Sequence, residues 1–298
     1  MSAPAPALPL TEIIRVRVGF SLTFDVPFPT PMLFVVEPQE RPGQRLLQSR
    51  RLIEPGEGVT HLHRYFDAHG NVIWRMLAQP GTLTISHDVM AEVSGRPDPQ
   101  FPDLPKTLVE DLPDDTLRFL LPSRYADSDL LAAEAWERFG HIQGGWAQVQ
   151  AISDHLYGSC MYGVGSNSTT TAQQAYASGK AVCRDFAHMG VAFCRALNIP
   201  ARYACGYLGD IGIPPDGVPM DFHAWFEAFI DGQWRTFDAR HNKPRIGRIL
   251  IATGRDAADV AFTTTFGAAR LTQMTVWADQ VQLDAELPED GQPHDYWE

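Results

Sequence analysis

From Ile14 to Val26 the chain alternates almost without fault. Ile14, Val16, Val18, Phe20, Leu22, Phe24 and Val26 are apolar, and Arg15, Arg17, Gly19, Ser21, Thr23 and Asp25 fall between them. Successive side chains on a strand point to opposite faces, so this run predicts a long strand with one buried face and one wet one. Pro31 to Val36 reads as a short strand. Thr60 to Phe66 and Val72 to Leu77 flank the turn-rich Asp67-Ala68-His69-Gly70-Asn71 as a hairpin, and Thr82 to Val93 continues the pattern. The first hundred residues therefore read as all-β, in keeping with 24 glycines and 23 prolines in 298 residues.

Regular structure then breaks off. Arg96 to Asp115 carries Pro97, Pro99, Pro102, Pro105 and Pro113, a density that no helix or central strand tolerates. A chain of this length suggests about two domains, and we expect the boundary here, giving a β-rich unit over 1–115 and a second unit over 116–298. In the second unit Ser128 and Asp129 can cap a helix through Leu130, Leu131, Ala133 and Trp136, and Trp146, Val149, Ile152, Leu156 and Tyr157 follow at helical spacing after Gly144-Gly145. Gly163 to Thr171 reads as a loop, Ala172 to Ala177 as a short helix and Ser178-Gly179-Lys180 as a turn. The fold class is α+β.

Charge and composition exclude several roles. With 24 basic against 36 acidic residues the net charge is −12, which repels phosphate backbones, so nucleic acid is not expected as a partner. No run approaches the roughly 18 apolar residues of a membrane span, and Met1 to Leu10 lacks the basic start and long apolar core of a leader, so a cytoplasmic protein is expected. The four cysteines, Cys160, Cys183, Cys194 and Cys205, crowd into one stretch, which is not a disulfide framework.

That stretch carries the chemistry. Cys183, Ala187, Val191 and Cys194 recur at spacings of a helix packed through one face, with Cys183 in its first turn. A helix N-terminus stabilises a thiolate through its partial positive charge and unpaired N–H groups. Downstream, Asp231-Gly232 joins Phe222 to Ile230 and Gln233 to Ala239 as a two-residue hairpin. Counting back from that turn sets Ile230 against Gln233, Trp225 against Asp238 and His223 against Arg240. One face then carries His223 and Asp238 as diagonal neighbours within reach of one hydrogen bond. Asp238 orients the imidazole, whose other nitrogen faces the thiol: a Cys-His-Asp triad. Each residue alone is more simply a core or hairpin residue, and the shared register is what joins them.

The segments GKAVCRDFAH (Gly179 to His188), ALNIPARYACGYLGD (Ala196 to Asp210), FHAWFEAF (Phe222 to Phe229) and WRTFDAR (Trp234 to Arg240) resemble the transglutaminase-like superfamily of papain-like cysteine enzymes. The resemblance runs from about Trp146 to about Phe266. The β-rich start and the join LLPSRYADSDLL (Leu120 to Leu131) resemble the N-terminal part of bacterial transglutaminase-like proteins. It implies a Cys-bearing helix packed on an antiparallel sheet, with Cys183 as nucleophile, His223 as general base and acid, and Asp238 as orienting carboxylate. Ala181 departs from the Gly that many relatives carry there. The superfamily includes transamidating, amide-cleaving and inactive members, so the expected function is a cysteine-dependent amide hydrolase or acyltransferase on peptide, protein or small amide substrates, and the alternative is a catalytically silent peptide- or protein-binding module with a papain-like cleft.

Further residues complete the expectation. The Cys183 backbone N–H is one oxyanion donor, and Tyr162 or Gln174 offers a second. Asp185 satisfies the helix N-terminus, with His188 as its hydrogen-bond partner. Trp225 shields the His–Asp bond and, with Tyr162, Gln174 and Arg240, is a candidate for oxyanion or substrate binding, while Arg240 pairs either with Asp238 or with an acidic substrate group. Ile246 to Gly267 forms either a cleft wall or a connecting loop. His61 and His63 share a strand face at two-ligand spacing, but nothing nearby completes a metal site, and a triad needs neither metal nor organic cofactor.

Overall fold

The computed structural model describes residues 11–163, 165–214 and 217–288. The leader reading of Met1 to Leu10 lies outside the described residues. Six strands open the chain: β1 (Ile13–Val26), β2 (Thr30–Phe34), β3 (Gln44–Glu54), β4 (Val59–Phe66), β5 (Val72–Ala78) and β6 (Gly81–Ser94). Every apolar residue of the β1 alternation is at most 2% exposed. On the wet face Arg17 pairs with Asp88 at 2.6 Å, and Asp88 also accepts from Trp277 Nε1 at 3.1 Å.

Helices follow: α1 (Ala132–Phe139), α2 (Gly145–Ser159), the strand β7 (Met161–Tyr162), α3 (Ala172–Ser178), β8 (Lys180–Ala181) and α4 (Cys183–Ala196). Then come β9 (Ala201–Tyr207), β10 (His223–Ile230), β11 (Gln233–Phe237), β12 (Ile249–Gly254), β13 (Thr263–Thr265) and β14 (Arg270–Val281). The strands form sheets ordered β14-β1-β6-β3, β13-β2-β5-β4 and β11-β10-β9-β12, with β7 and β8 a small parallel pair. The first two sheets face each other across one apolar core, where Phe20 meets Trp74 and Phe24 meets Phe34. Among the described residues no helix is long and apolar enough to cross a membrane.

Several elements depart from the sequence reading. β3 and β14, both edge strands, were not among the expected strands: β3 carries Arg45, Arg50 and Arg51 and buries few positions, so no alternation marks it. β13 and β14 pair with β2 and β1, so residues 263–281 complete the sheets of the first unit, and sheet membership does not follow the expected cut at 115. In β4 a bulge between Thr60 and His63, with His61 at φ +52°, breaks the two-residue repeat that would set His61 and His63 on one face.

The third sheet positions the site. All eight residues of β10 are buried. Phe226, Ala228 and Ile230 join the core of the helices, while on the other face Arg248 covers Trp225 and Arg202 pairs with Glu227. α4 is buried on nearly every side, with only Cys183, Arg184 and Ala196 keeping partial exposure. It reaches β10 through Gly190, where an added Cβ would lie 2.3 Å from the Phe226 ring. Gly190→Ala must push helix and strand apart, and we expect a loss of about 1–3 kcal/mol in a denaturant titration.

Candidate active site

Cys183 stands at the first position of α4, where its own N–H makes no intrahelical bond. The chain arrives through Gly179, whose left-handed conformation (φ +64°) ends α3 and turns the backbone toward β8. β8 pairs with β7, Ala181 against Tyr162, and this pairing sets the Tyr162 phenol beside the cysteine. Asp185, 1% exposed, accepts from the Val182 N–H at 2.9 Å and so caps the helix start as expected.

Opposite stands the hairpin. Asp231 and Gly232 both have positive φ, +50° and +73°, the demand of a tight two-residue turn. The ladder runs from Ile230 against Gln233 to Phe226 against Phe237, the expected register, and Asp238 follows directly after β11. His223 Nε2 lies 2.8 Å from Asp238 Oδ2, and both residues are buried. Cys183 and His223 line the same cleft, and the thiol is among the groups that raise the imidazole pKa. Cys183, His223 and Asp238 therefore come together.

The electrostatics around this trio are strong. Burial disfavours the charged imidazole of His223, but the charge and hydrogen bond of Asp238 and the Cys183 thiol outweigh it, so its pKa lies above the ordinary value. Burial likewise pushes Asp238 upward, yet His223, Arg248 and His241 hold its carboxyl well below the carboxylate range. Arg248 was not foreseen as part of the site. Its buried guanidinium reaches Asp238 at 3.3 Å and Asp98 at 3.0 Å and lies 4.5 Å over the Trp225 ring. His241 was also missed: its N–H donates to Asp238 Oδ1 at 3.3 Å, and burial, with the nearby arginines, lowers its imidazole to about 3. The signal available for both was the cluster Arg240, His241, Arg245 and Arg248 just beyond the hairpin.

Four expectations need correction. Gln174 is no oxyanion donor: its Oε1 accepts from Thr171 N at 3.1 Å while Thr171 Oγ1 accepts from Gln174 N, closing a capping box on α3. Trp225 does not touch substrate space, because at 1% exposure it lies beneath the site with its ring stacked 6.2 Å from that of His223. Arg240 does not pair with Asp238, since the ladder has ended by then. Its Nη1 lies 2.6 Å from His241 Nε2, and its guanidinium sits 4.0 Å over the Tyr162 ring. His188 leaves Asp185 and instead accepts from the Ala257 N–H at 3.1 Å, stacked on Tyr125. That bond docks the 255–262 segment on α4, and Ala257, Val260 and Phe262 then wall the cleft.

His223, Asp238 and His241 present ligand atoms within 4.8 Å of one another, the composition of a three-ligand cation site. The surroundings do not fit a cation: Arg248 occupies Asp238, and Arg240 and Arg245 lie 2.6 and 3.2 Å from the His241 nitrogens.

Residues 138–239 match the profile of the transglutaminase-like superfamily. Over 93% of its length the chain also superposes on a candidate cysteine protease from Cytophaga hutchinsonii of known crystal structure, covering 93% of that chain with 34% identity and a TM-score of 0.81. The chain belongs to the transglutaminase-like superfamily. An uncharacterized protein of Mycobacterium leprae is 33% identical over 84 residues, which are 28% of this chain and 30% of that protein. One from Mycobacterium tuberculosis is 30% identical over 121 residues, 37% of this chain and 38% of the relative. The chain thus spans well under half the length of these mycobacterial relatives. The ethylmercury-bound periplasmic domain of TgpA from Pseudomonas aeruginosa aligns at 14% identity and TM-score 0.39, over 76% of this chain and 90% of that one.

Two measurements check the electrostatics. Asp238→Asn removes the charge that lifts the His223 pKa, so an NMR titration of the His223 ring should show its imidazolium lost at lower pH than in the wild type. Arg248→Met leaves the buried Asp238 and the half-buried Asp98 short of a partner and should cost about 3–5 kcal/mol in stability, read by denaturant unfolding.

Proposed function

We propose that this chain is a cysteine-dependent amide hydrolase or acyltransferase. One observation carries the reading: an imidazole held by a buried carboxylate at 2.8 Å shares its cleft with a thiol at a helix N-terminus. Cys183 Sγ attacks an amide carbonyl and a C–S bond forms. The Cys183 N–H, with the Tyr162 hydroxyl beside it, takes up the oxyanion. Burial raises the Tyr162 pKa, which keeps its hydroxyl a proton donor at neutral pH. The C–N bond then breaks as the His223 imidazolium gives its proton to the departing amine, leaving a thioester. Water or a second amine attacks that thioester with His223 as base, and the thiol is restored.

On this reading the catalytic machinery belongs to residues 116–298, and the first unit lends Leu22 to the cleft wall. Peptides, proteins or small amides are the substrates. Four free thiols suit a reducing compartment, and we place the protein in the cytoplasm. Iodoacetamide labelling, followed residue by residue by mass spectrometry, tests nucleophile and base together. Cys183 should react at least about tenfold faster than Cys160, Cys194 and Cys205, which are buried, and His223→Ala should remove most of that advantage. Equal, slow labelling of Cys183 in both proteins would sink the reading. A labelled primary amine supplied with a reactive amide then separates transfer from hydrolysis by the product formed.

A further inference from the structure

Two hollows open on either side of the Cys183–His223 pair, and they differ in kind. One, of about 630 Å³, is mixed: Tyr162, Asp210, Arg240, Lys243 and Arg245 line it together with apolar residues such as Leu208 and Met220. The other, of about 470 Å³, is walled by Tyr125, Tyr203, Val260, Phe262, Leu271 and Met274, with Phe262 stacked 4.1 Å from Phe222. Cys183, Asp221, Phe222 and His223 line both. A carbonyl placed at the cysteine sulfur therefore has a mainly apolar hollow beside it and a mixed one that carries the cations.

The charges in the first hollow do not cancel. Arg245, its side chain 1% exposed, is spent on Asp210 at 3.3 Å and on the Gly209 carbonyl at 2.9 Å. The Asp221 carboxylate accepts the N–H of Phe222 at 2.7 Å. Arg240 has no carboxylate partner among the described residues: it is held between His241 and the face of Tyr162. Arg240 and Lys243 thus stand against Asp221, a local positive excess in a chain of net charge −12. A guanidinium stacked on an aromatic ring is already oriented and loses little entropy on receiving a planar anion.

We propose that the cleft selects substrates with an apolar side chain on one side of the scissile amide and a carboxylate on the other, Arg240 receiving the carboxylate. The inference rests on the amide-cleaving reading above and names its substrate class. A side-chain carboxylate and a C-terminal one share this chemistry, and the probes separate them.

Binding is measured by calorimetry on Cys183→Ala, so that nothing turns over. The probes are acetyl-Phe-Gly-Glu amide, acetyl-Glu-Gly-Phe amide and acetyl-Phe-Gly-Gly with a free C-terminal acid. Each is compared with its uncharged Gln or amide counterpart. At least one acid should bind about tenfold or more tightly than its counterpart, with a gain that shrinks as salt rises. Arg240→Gln in the same background should abolish the gain, Arg240→Lys should restore part of it, and Ser in place of Phe should weaken the favoured probe. No gain for any acid, or a gain that survives Arg240→Gln, overturns the proposal. Iodoacetamide labelling of the Cys183-bearing protein reads the nucleophile separately. Rapid labelling without acid preference sinks only the substrate class, and acid preference without labelling sinks only the amide-cleaving reading.

Discussion

All eight positions of β10 are buried, and on a strand without a wet face a charged group must find a partner. One side is met by α4, so closely that Gly190 is the only size of residue that fits over Phe226 without displacement. The other side holds Trp225 and Glu227, and each is covered by an arginine, Arg248 and Arg202. His223 opens this strand, which is why its imidazole enters a dry environment already furnished with fixed charges. The thiol reaches it from the end of the helix that the same strand packs against.

Within that dry environment two imidazoles 5.1 Å apart are driven in opposite directions. His223 is raised because Asp238 is bonded to it, and His241 falls to about 3 because burial and its arginine neighbours disfavour a further charge. The proposed mechanism draws on this separation: the raised ring is the one asked to give a proton, and the lowered one stays neutral beside Arg240. Arg248 completes the arrangement from behind, keeping Asp238 ionised without competing for the cleft.

Much of this was legible in the chain because it rests on local rules. The β1 alternation, the Asp231-Gly232 turn and the two-residue period of β10 and β11 suffice to bring His223 and Asp238 together. The register argument failed one step later, at Arg240, because ladder pairing stops at Phe237 and nothing in the period of a strand foretells its end. The pattern Thr171-x-x-Gln174 is itself a helix-start signature, a local rule that accounts for Gln174 without an oxyanion role. Arg248, His188 and the edge strands β3 and β14 owe their places to long-range packing, which leaves no period in the sequence.

The pairing of β1 with β14 joins Phe24 to Leu271 and Arg15 to Val281, among the most remote partners in the chain. Leu271 and Met274 of that same strand wall the apolar hollow beside Cys183. Contacts so distant in sequence carry the largest loop-closure entropy and form late in folding. The helix and hairpin that present thiol and imidazole are local structures and can assemble first, whereas the surface that would select a substrate closes only when the ends of the fold meet. A half-folded chain would therefore carry its reactive groups before it carries its discrimination.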